Sequence, residues 1–92
     1  MAEAHIIKRR GHKETYDERK VYASVYAASL NAHLDKISAE KIAEKVSRGV
    51  TSWLGSEQSA VTSENIFKKV IELLKSENRD VSFMYETHRD LA

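Results

Sequence analysis

The apolar residues of this chain change their spacing at Asp17. Before that point, a short apolar segment beginning at Ile6 runs into a basic turn at Arg10-Gly11 and a second extended segment through Tyr16. This arrangement predicts a β-hairpin. After that point, apolar residues recur every three or four positions, which is the spacing of helices that bury one face. The sequence therefore predicts a small β element followed by a helical remainder.

The first two predicted helices cover about 17–33 and about 39–54. The acidic residues at the start of the first helix suit the positive end of a helix dipole. Ser38 is the predicted N-cap of the second helix, and Gly55 lies where a helix often ends. The polar residues between the two helices predict a short connection.

The third and fourth predicted helices follow a second polar connection. Ala60-Val61 predicts one short strand edge, and Thr62 or Ser63 then caps the third helix. Asp80 is the predicted cap of the fourth. The third helix has the widest apolar face, formed by Ile66, Phe67, Val70, Ile71 and Leu74. The predicted fold class is mainly α with a small β-sheet (α+β): a four-helix bundle capped by an N-terminal β-hairpin and a short third strand.

Length and composition limit the function classes. A chain of 92 residues holds one domain, predicted over 1–92. Its net charge of +1 creates no overall field that favours nucleic acid or an anionic membrane, so neither is an expected partner. It has no cysteine, which excludes disulfides, thiol catalysis and cysteine zinc sites. The N-terminal residues lack the apolar core of a signal peptide, and a cytoplasmic location is expected.

The predicted hairpin carries three consecutive cations, Lys8, Arg9 and Arg10. Alternate residues of a strand face opposite sides, so Lys8 and Arg10 share one side and Arg9 faces the other. Charge-assisted hydrogen bonds from Lys and Arg to phosphate are roughly twice as strong as neutral ones. Taken alone, such a run is more often a solvated strand edge than a ligand site, so the cations leave a local site for a phosphorylated ligand as one of two interpretations.

The residues around these cations form a recognisable pattern. A strand ends in Lys-Arg-x-Gly, a Glu and an Asp follow at intervals of three, and a Lys before an aliphatic residue opens a helix. These residues are Lys8, Arg9, Gly11, Glu14, Asp17, Lys20 and Val21. A Val-Thr-Ser helix start at 61–63 and a final aromatic helix with His88-Arg89 complete the pattern. From about Ala4 to Leu91 the chain resembles the ATP-cone, a nucleotide-binding regulatory domain of ribonucleotide reductases and of the repressor of their genes.

The resemblance implies a nucleotide site and assigns residues to it. Lys8 and Arg9 match the family's phosphate-contacting pair, and Ile6 matches the aliphatic residue that lines the adenosine pocket. Polar groups near the base correspond to Glu14 and Asp17. The remaining implied site residues lie at three helix ends: Lys20, Ser63, Phe67, His88 and Arg89.

Two positions depart from the family pattern. Some reductase members have a His close to the nucleotide where this chain has Phe67, which predicts a different discrimination between ATP and dATP. In those members a Lys near the end of the last helix reaches the phosphates. This chain has His88 and Arg89 there, and Arg89 is the candidate substitute.

Each candidate residue also has an ordinary structural interpretation. Cations on a hairpin discourage edge-to-edge strand aggregation, and Ser63 alone is a common helix cap. Glu14 and Asp17 alone would be surface carboxylates paired with nearby cations. Aromatic residues at helical spacing are more often core or rim than a base-stacking platform, and Tyr26 and Trp53 would be the first candidates for a dimer face if the bundle left them outside.

Three function classes follow. The leading one is a non-catalytic module that binds ATP or dATP, with Mg²⁺ carried by the phosphates, and alters self-association or partner contacts. The resemblance implies a ribonucleotide reductase or regulator as partner. We expect the chain either to act on it in trans or to be a domain excised from a larger chain, and a homo-oligomer stays open. The alternative is a protein-interaction adaptor with this fold that no longer binds nucleotide. An enzyme ranks last, because the chain has no Gly-x-x-x-x-Gly-Lys-Ser/Thr loop and no nucleophile beside a recognisable base. Its four histidines show no metal-ligand spacing.

Overall fold

Four helices make up most of the computed structural model, which describes residues 5–7, 13–57 and 61–87. The elements in chain order are β1 (His5–Ile7), β2 (Lys13–Thr15), α1 (Glu18–Asn31), α2 (Lys36–Ser56), β3 (Val61–Thr62), α3 (Ser63–Glu77) and α4 (Arg79–Thr87). The helices are 14, 21, 15 and 9 residues long, whereas the strands have three, three and two residues.

The predicted α+β class, with a β-hairpin layer over the bundle, is wrong. β1 pairs antiparallel with β2 and parallel with β3, in the order β2-β1-β3, but strands of two or three residues form too few ladder hydrogen bonds to make a layer of their own. The residues that would turn the hairpin, 8–12, lie outside the described residues, as does Ala60 of the predicted third strand. The fold is that of a helical domain.

The core runs along the centre of the four helices. α1 packs on α2 and α4, and α3 packs on α2 and α4. Each helix places apolar residues three or four positions apart on its inner side, because this spacing puts them on one face. The largest fully buried apolar side chains are Val25, Val46, Val50, Val70, Leu74 and Val81.

Contacts between neighbouring helices show their directions. Along α2 and α3, Lys45 pairs with Glu77 at 3.0 Å, and Lys69 lies 5.7 Å from the centre of the Trp53 ring, so the two helices are antiparallel. Between these contacts, a Cβ on Gly49 would lie 3.0 Å from Leu73 Cδ1. The missing side chain of this glycine therefore permits the close approach of α2 and α3.

Side-chain contacts also show the directions of α1 and α4. Glu18 at the start of α1 contacts Thr51 near the end of α2, and Phe67 near the start of α3 stacks on Tyr85 near the end of α4. The starts of α1 and α3 and the ends of α2 and α4 therefore lie at one end of the bundle. We call this the strand-facing end, because α1 and α3 closely follow β2 and β3.

The structure corrects two predicted helix starts and one helix end. Asp35 caps α2 by accepting from the backbone N–H of Ser38 at 3.2 Å and from its hydroxyl at 2.7 Å, so the helix begins at Lys36 rather than after Ser38. Gly55 lies inside α2. Asn78, rather than Asp80, accepts from the first N–H groups of α4.

Candidate functional site

The strand-facing end brings together the described helical residues that the sequence assigns to a nucleotide site. Asp17 and Lys20 lie at the start of α1, and Ser63 and Phe67 lie in the first turns of α3. α4 ends at Thr87 on the same side. Positions far apart in sequence thus share one region because adjacent helices alternate in direction.

The start of α1 is capped by a carboxylate. Asp17 accepts from the backbone N–H of Arg19 at 2.9 Å and from Arg19 Nε at 3.3 Å. These side-chain and backbone bonds from Arg19 hold the pKa of Asp17 below its ordinary value of 3.8. Lys20, one turn into the helix, is exposed. The positive end of the α1 dipole is therefore already occupied by a carboxylate of the protein, that of Asp17.

The start of α3 is capped by uncharged groups. The Asn65 N–H donates to Thr62 Oγ1 at 3.0 Å, and the Thr62 N–H donates to Asn65 Oδ1 at 3.2 Å, which together form a capping box. Thr62 is therefore the cap, and Ser63 is the exposed first residue of the helix. Neither capping bond uses the N–H of Ser63. A helix start with N–H groups directed outward is a general anion-binding arrangement.

Strand pairing places β1 beside this helix start. Ile7 is the register partner of Thr62, and Ile6 is the partner of both Val61 and Glu14. The chain leaves β1 next to the first turn of α3. For Ile6 and Glu14 the structure describes the backbone pairing alone. Four further predicted site residues lie outside the described residues: Lys8, Arg9, His88 and Arg89.

An aromatic pair lies one helical turn below Ser63. Phe67 and Tyr85 stack with ring centres 5.4 Å apart and planes inclined by 25°, and both are half-buried. Ser63 and Phe67 are four residues apart, so they lie on the same side of α3, about 6 Å apart along its axis. A hydroxyl and a flat apolar surface therefore lie on the same side of α3.

A hydrogen-bond network that the sequence did not predict joins the start of α1 to α2. Thr51 Oγ1 lies 3.0 Å from the hydroxyl of Tyr16, 3.0 Å from Glu18 Oε1 and 3.0 Å from the Ser47 carbonyl oxygen. The Thr51 hydroxyl has one proton, which goes to Glu18 or to the carbonyl, so Tyr16 donates to Thr51. Burial raises the pKa of Tyr16 above its ordinary value of 10.0.

This network fixes the junction between β2 and α1. Tyr16 and Thr51 are 35 positions apart, so no local spacing rule would connect them. The only signal in the sequence was the position of Tyr16 between the strand and helix patterns. The network holds the β2–α1 junction against α2 and thereby sets where Asp17 and Lys20 lie.

The geometry defines a class before any comparison with known proteins. A helical domain in which a helix start with an uncharged cap lies beside an aromatic pair has an arrangement suited to a phosphorylated ligand. The family model of the ATP cone domain matches residues 4–89, and the chain belongs to this family. A search of curated proteins found no match to the chain. ATP-cone domains are regulatory, non-catalytic domains that bind ATP or dATP.

The described residues contain no candidate metal cluster and no candidate membrane-spanning helix. Within residues 5–7, 13–57 and 61–87, no group of three or more His, Cys, Asp or Glu side chains is placed to hold a metal ion. In the same part of the chain, no helix has both the length and the apolar character needed to cross a membrane.

Proposed function

We propose that this domain binds ATP or dATP at the strand-facing end and uses the difference between them to change its self-association or its contact with a partner. The proposed partner is a ribonucleotide reductase or a regulator of one, in the cytoplasm. The observation that carries the proposal is the meeting of the α1 start, the α3 start and the Phe67–Tyr85 pair at one end of the bundle. Family membership identifies the ligand class.

The phosphates are assigned to the start of α3. Ile7 is paired with Thr62, and Lys8 and Arg9 follow Ile7 directly in sequence. Two cations and a helix start would then act on the same phosphate chain, and Ser63 would add a hydroxyl. Mg²⁺ would arrive bound to the phosphates.

The nucleoside is assigned to the region between the strands and the aromatic pair. Ile6 would line the adenosine pocket, and Phe67 would offer its face to the base or sugar. Glu14 and Asp17 are polar partners for the base, with Lys20 beside them on α1. His88 and Arg89 would close the site from the end of α4, where Arg89 would supply a further cation to the phosphates.

Sensing requires more than binding. The two nucleotides must stabilise different states of the domain by at least about 1 kcal/mol, because a ligand with equal affinity for both states shifts nothing. The Tyr16–Thr51–Glu18 network is the described connection through which a change at the start of α1 would reach α2. We propose no hydrolysis of the nucleotide.

Calorimetric titration with ATP, dATP and GTP in Mg²⁺ tests the proposal. We expect micromolar affinity for the adenine nucleotides and a loss of at least about tenfold in Arg9→Ala, because a charge-assisted phosphate contact contributes 1.5–3 kcal/mol. Arg48→Ala is the matched control, since Arg48 lies on α2, is 73% exposed and pairs only with its helix neighbour Glu44 among the described residues.

Each outcome decides between the two leading function classes. Adenine-specific binding that is lost in the Arg9 variant and kept in the Arg48 variant supports the nucleotide site. Absence of binding and of thermal stabilisation by all three nucleotides would refute it and favour the interaction adaptor. Release of phosphate from ATP at a useful rate would instead indicate an enzyme.

A further inference from the structure

The outer side of α4 forms a cleft that runs from the start of this helix towards its strand-facing end. Its volume is about 380 Å³, and its lining residues are Lys75, Arg79, Ser82, Phe83 and Glu86. Phe83 is 63% exposed, whereas Tyr26 and Trp53, the candidates from sequence for a dimer face, pack against the core. The exposed ring of Phe83 lies among the charged side chains that line the cleft.

The charged residues of the cleft have no ion-pair partners within the described ranges. The ion pairs within these ranges involve other residues: Arg19 with Asp17, Lys45 with Glu77, Arg48 with Glu44 and Lys69 with Glu72. Lys75 and Arg79 lie at one end of the cleft, near the junction of α3 and α4, and Glu86 lies at the other. The cleft thus has a basic end, an aromatic centre and an acidic end.

This order of charges is self-complementary. Arg79, Ser82, Phe83 and Glu86 are spaced by three, one and three residues, which places them on one face of α4. If a second α4 lies antiparallel across this face, one register places Arg79 opposite the partner's Glu86 and Phe83 opposite the partner's Ser82. A two-fold axis then repeats both contacts.

We propose that the cleft is the docking surface for a second copy of this chain, with the two α4 helices antiparallel around a two-fold axis. In this arrangement Phe83 of each copy packs over the small, 4% exposed Ser82 of the other. Arg79 and Lys75 of one copy surround Glu86 of the other. Charge complementarity selects a second copy over another occupant, because the same short face supplies both halves of each contact.

The dimer is expected to be weak. A nine-residue helix offers an interface below the roughly 1,000 Å² typical of stable complexes, and exposed ion pairs each contribute little. Burial of Phe83 is the main stabilising contribution, and the charges set the direction of the helices. The proposal does not depend on nucleotide binding, because none of the cleft residues is assigned to the nucleotide site.

Analytical ultracentrifugation of the full chain without nucleotide, from micromolar to millimolar concentration, tests the proposal. We expect a monomer–dimer equilibrium that Arg79→Glu and Glu86→Arg each weaken by about tenfold, since like charges then face each other. The double variant Arg79→Glu/Glu86→Arg should return to within about threefold of the parent chain, because the pairs are re-formed with exchanged charges. Phe83→Ala should also weaken the dimer.

Arg48→Glu is the control, because it reverses an equally exposed arginine on α2 outside the cleft and should leave the equilibrium unchanged. Circular dichroism will show whether each variant keeps its helices. A chain that stays monomeric throughout the range would overturn the proposal and leave the cleft to a different protein. A dimer that the double variant does not restore would overturn it as well. Calorimetry on the same samples reports nucleotide binding separately.

Discussion

The two helix starts at the strand-facing end differ in what satisfies them. α1 begins with the carboxylates of Asp17 and Glu18, the first of which accepts three hydrogen bonds from Arg19. α3 begins with a hydroxyl and an amide that cap each other, and the one acidic residue of its first turn is Glu64. Each first turn holds one glutamate, so the two helix starts differ in the cap, which is a carboxylate at α1 and a hydroxyl at α3. An added anion gains most where the cap is not itself a carboxylate. The comparison therefore favours the start of α3 for the proposed phosphate site and the start of α1 for the neutral part of the nucleotide.

Adding a carboxylate to the start of α3 should produce the largest effect. Ser63→Asp should lower ATP affinity by about tenfold or more, because its charge would compete with the phosphates for the same N–H groups. The free energy of unfolding should stay equal or rise by about 0.3–1 kcal/mol, since an acidic residue favours a helix start. Calorimetry gives the affinity, and thermal unfolding gives the stability.

Ser76→Asp is the matched control on the same helix. Ser76 is exposed near the far end of α3, where a carboxylate opposes the helix dipole. This variant should lose some stability and keep its ATP affinity, which is the reverse of the Ser63 result. Equal ATP affinity in Ser63→Asp and the parent chain would show that the phosphates lie elsewhere.

Titration of the α1 cap gives a smaller effect and concerns stability. Because the folded-state pKa of Asp17 is lowered by Arg19, its contribution is present above the ordinary aspartate pKa of 3.8 and is lost as the pH falls through the folded-state pKa. Asp17→Asn keeps a good N-cap without a titrating group. The melting temperature of this variant should therefore fall less than that of the parent chain below about pH 4.

Asp35→Asn provides the comparison for this measurement. Hydrogen bonds from Ser38 lower the pKa of Asp35 in the same direction, so this variant should also lose part of the acid sensitivity. Thr62, which caps α3, has no titrating group, so its capping bond should not weaken as the pH falls. Identical acid sensitivity of the parent chain and the Asp17 variant would contradict the role of the carboxylate as a stabilising cap.

Helix positions followed from the sequence better than helix boundaries did. The apolar stripe of α3 is regular, and its cap at Thr62 was one of two predicted residues. The start of α2 was misplaced because Asp35 and Ser38 can both cap, and the structure uses the carboxylate of Asp35 to bind the N–H and hydroxyl of Ser38. Spacing alone does not decide between two competing caps. The strand content was overestimated because paired extended segments can be as short as two residues.

The candidate site followed from the sequence only in part. Motif spacing identified the family and the residues at the starts of α1 and α3, and the family model confirmed the family. The roles of all ten assigned residues stay predictions. The contacts of Thr51 could not be predicted, because a hydroxyl in the middle of a helix carries no sign of a partner 35 residues away. The stack of Phe67 on Tyr85 depends on the alternating directions of α3 and α4, which sequence spacing alone does not fix.

The most direct test is to titrate the isotope-labelled chain with ATP and to record the NMR signals of its backbone amides at each ATP concentration. We expect the largest shifts at Ser63 and its neighbours in the first turn of α3, with smaller shifts at Lys20. The amides of Lys75 and Arg79, on the far side of the bundle, should change little. Shifts concentrated around Phe83 and Arg79, with Ser63 unmoved, would contradict the claim that the nucleotide phosphates bind at the start of α3.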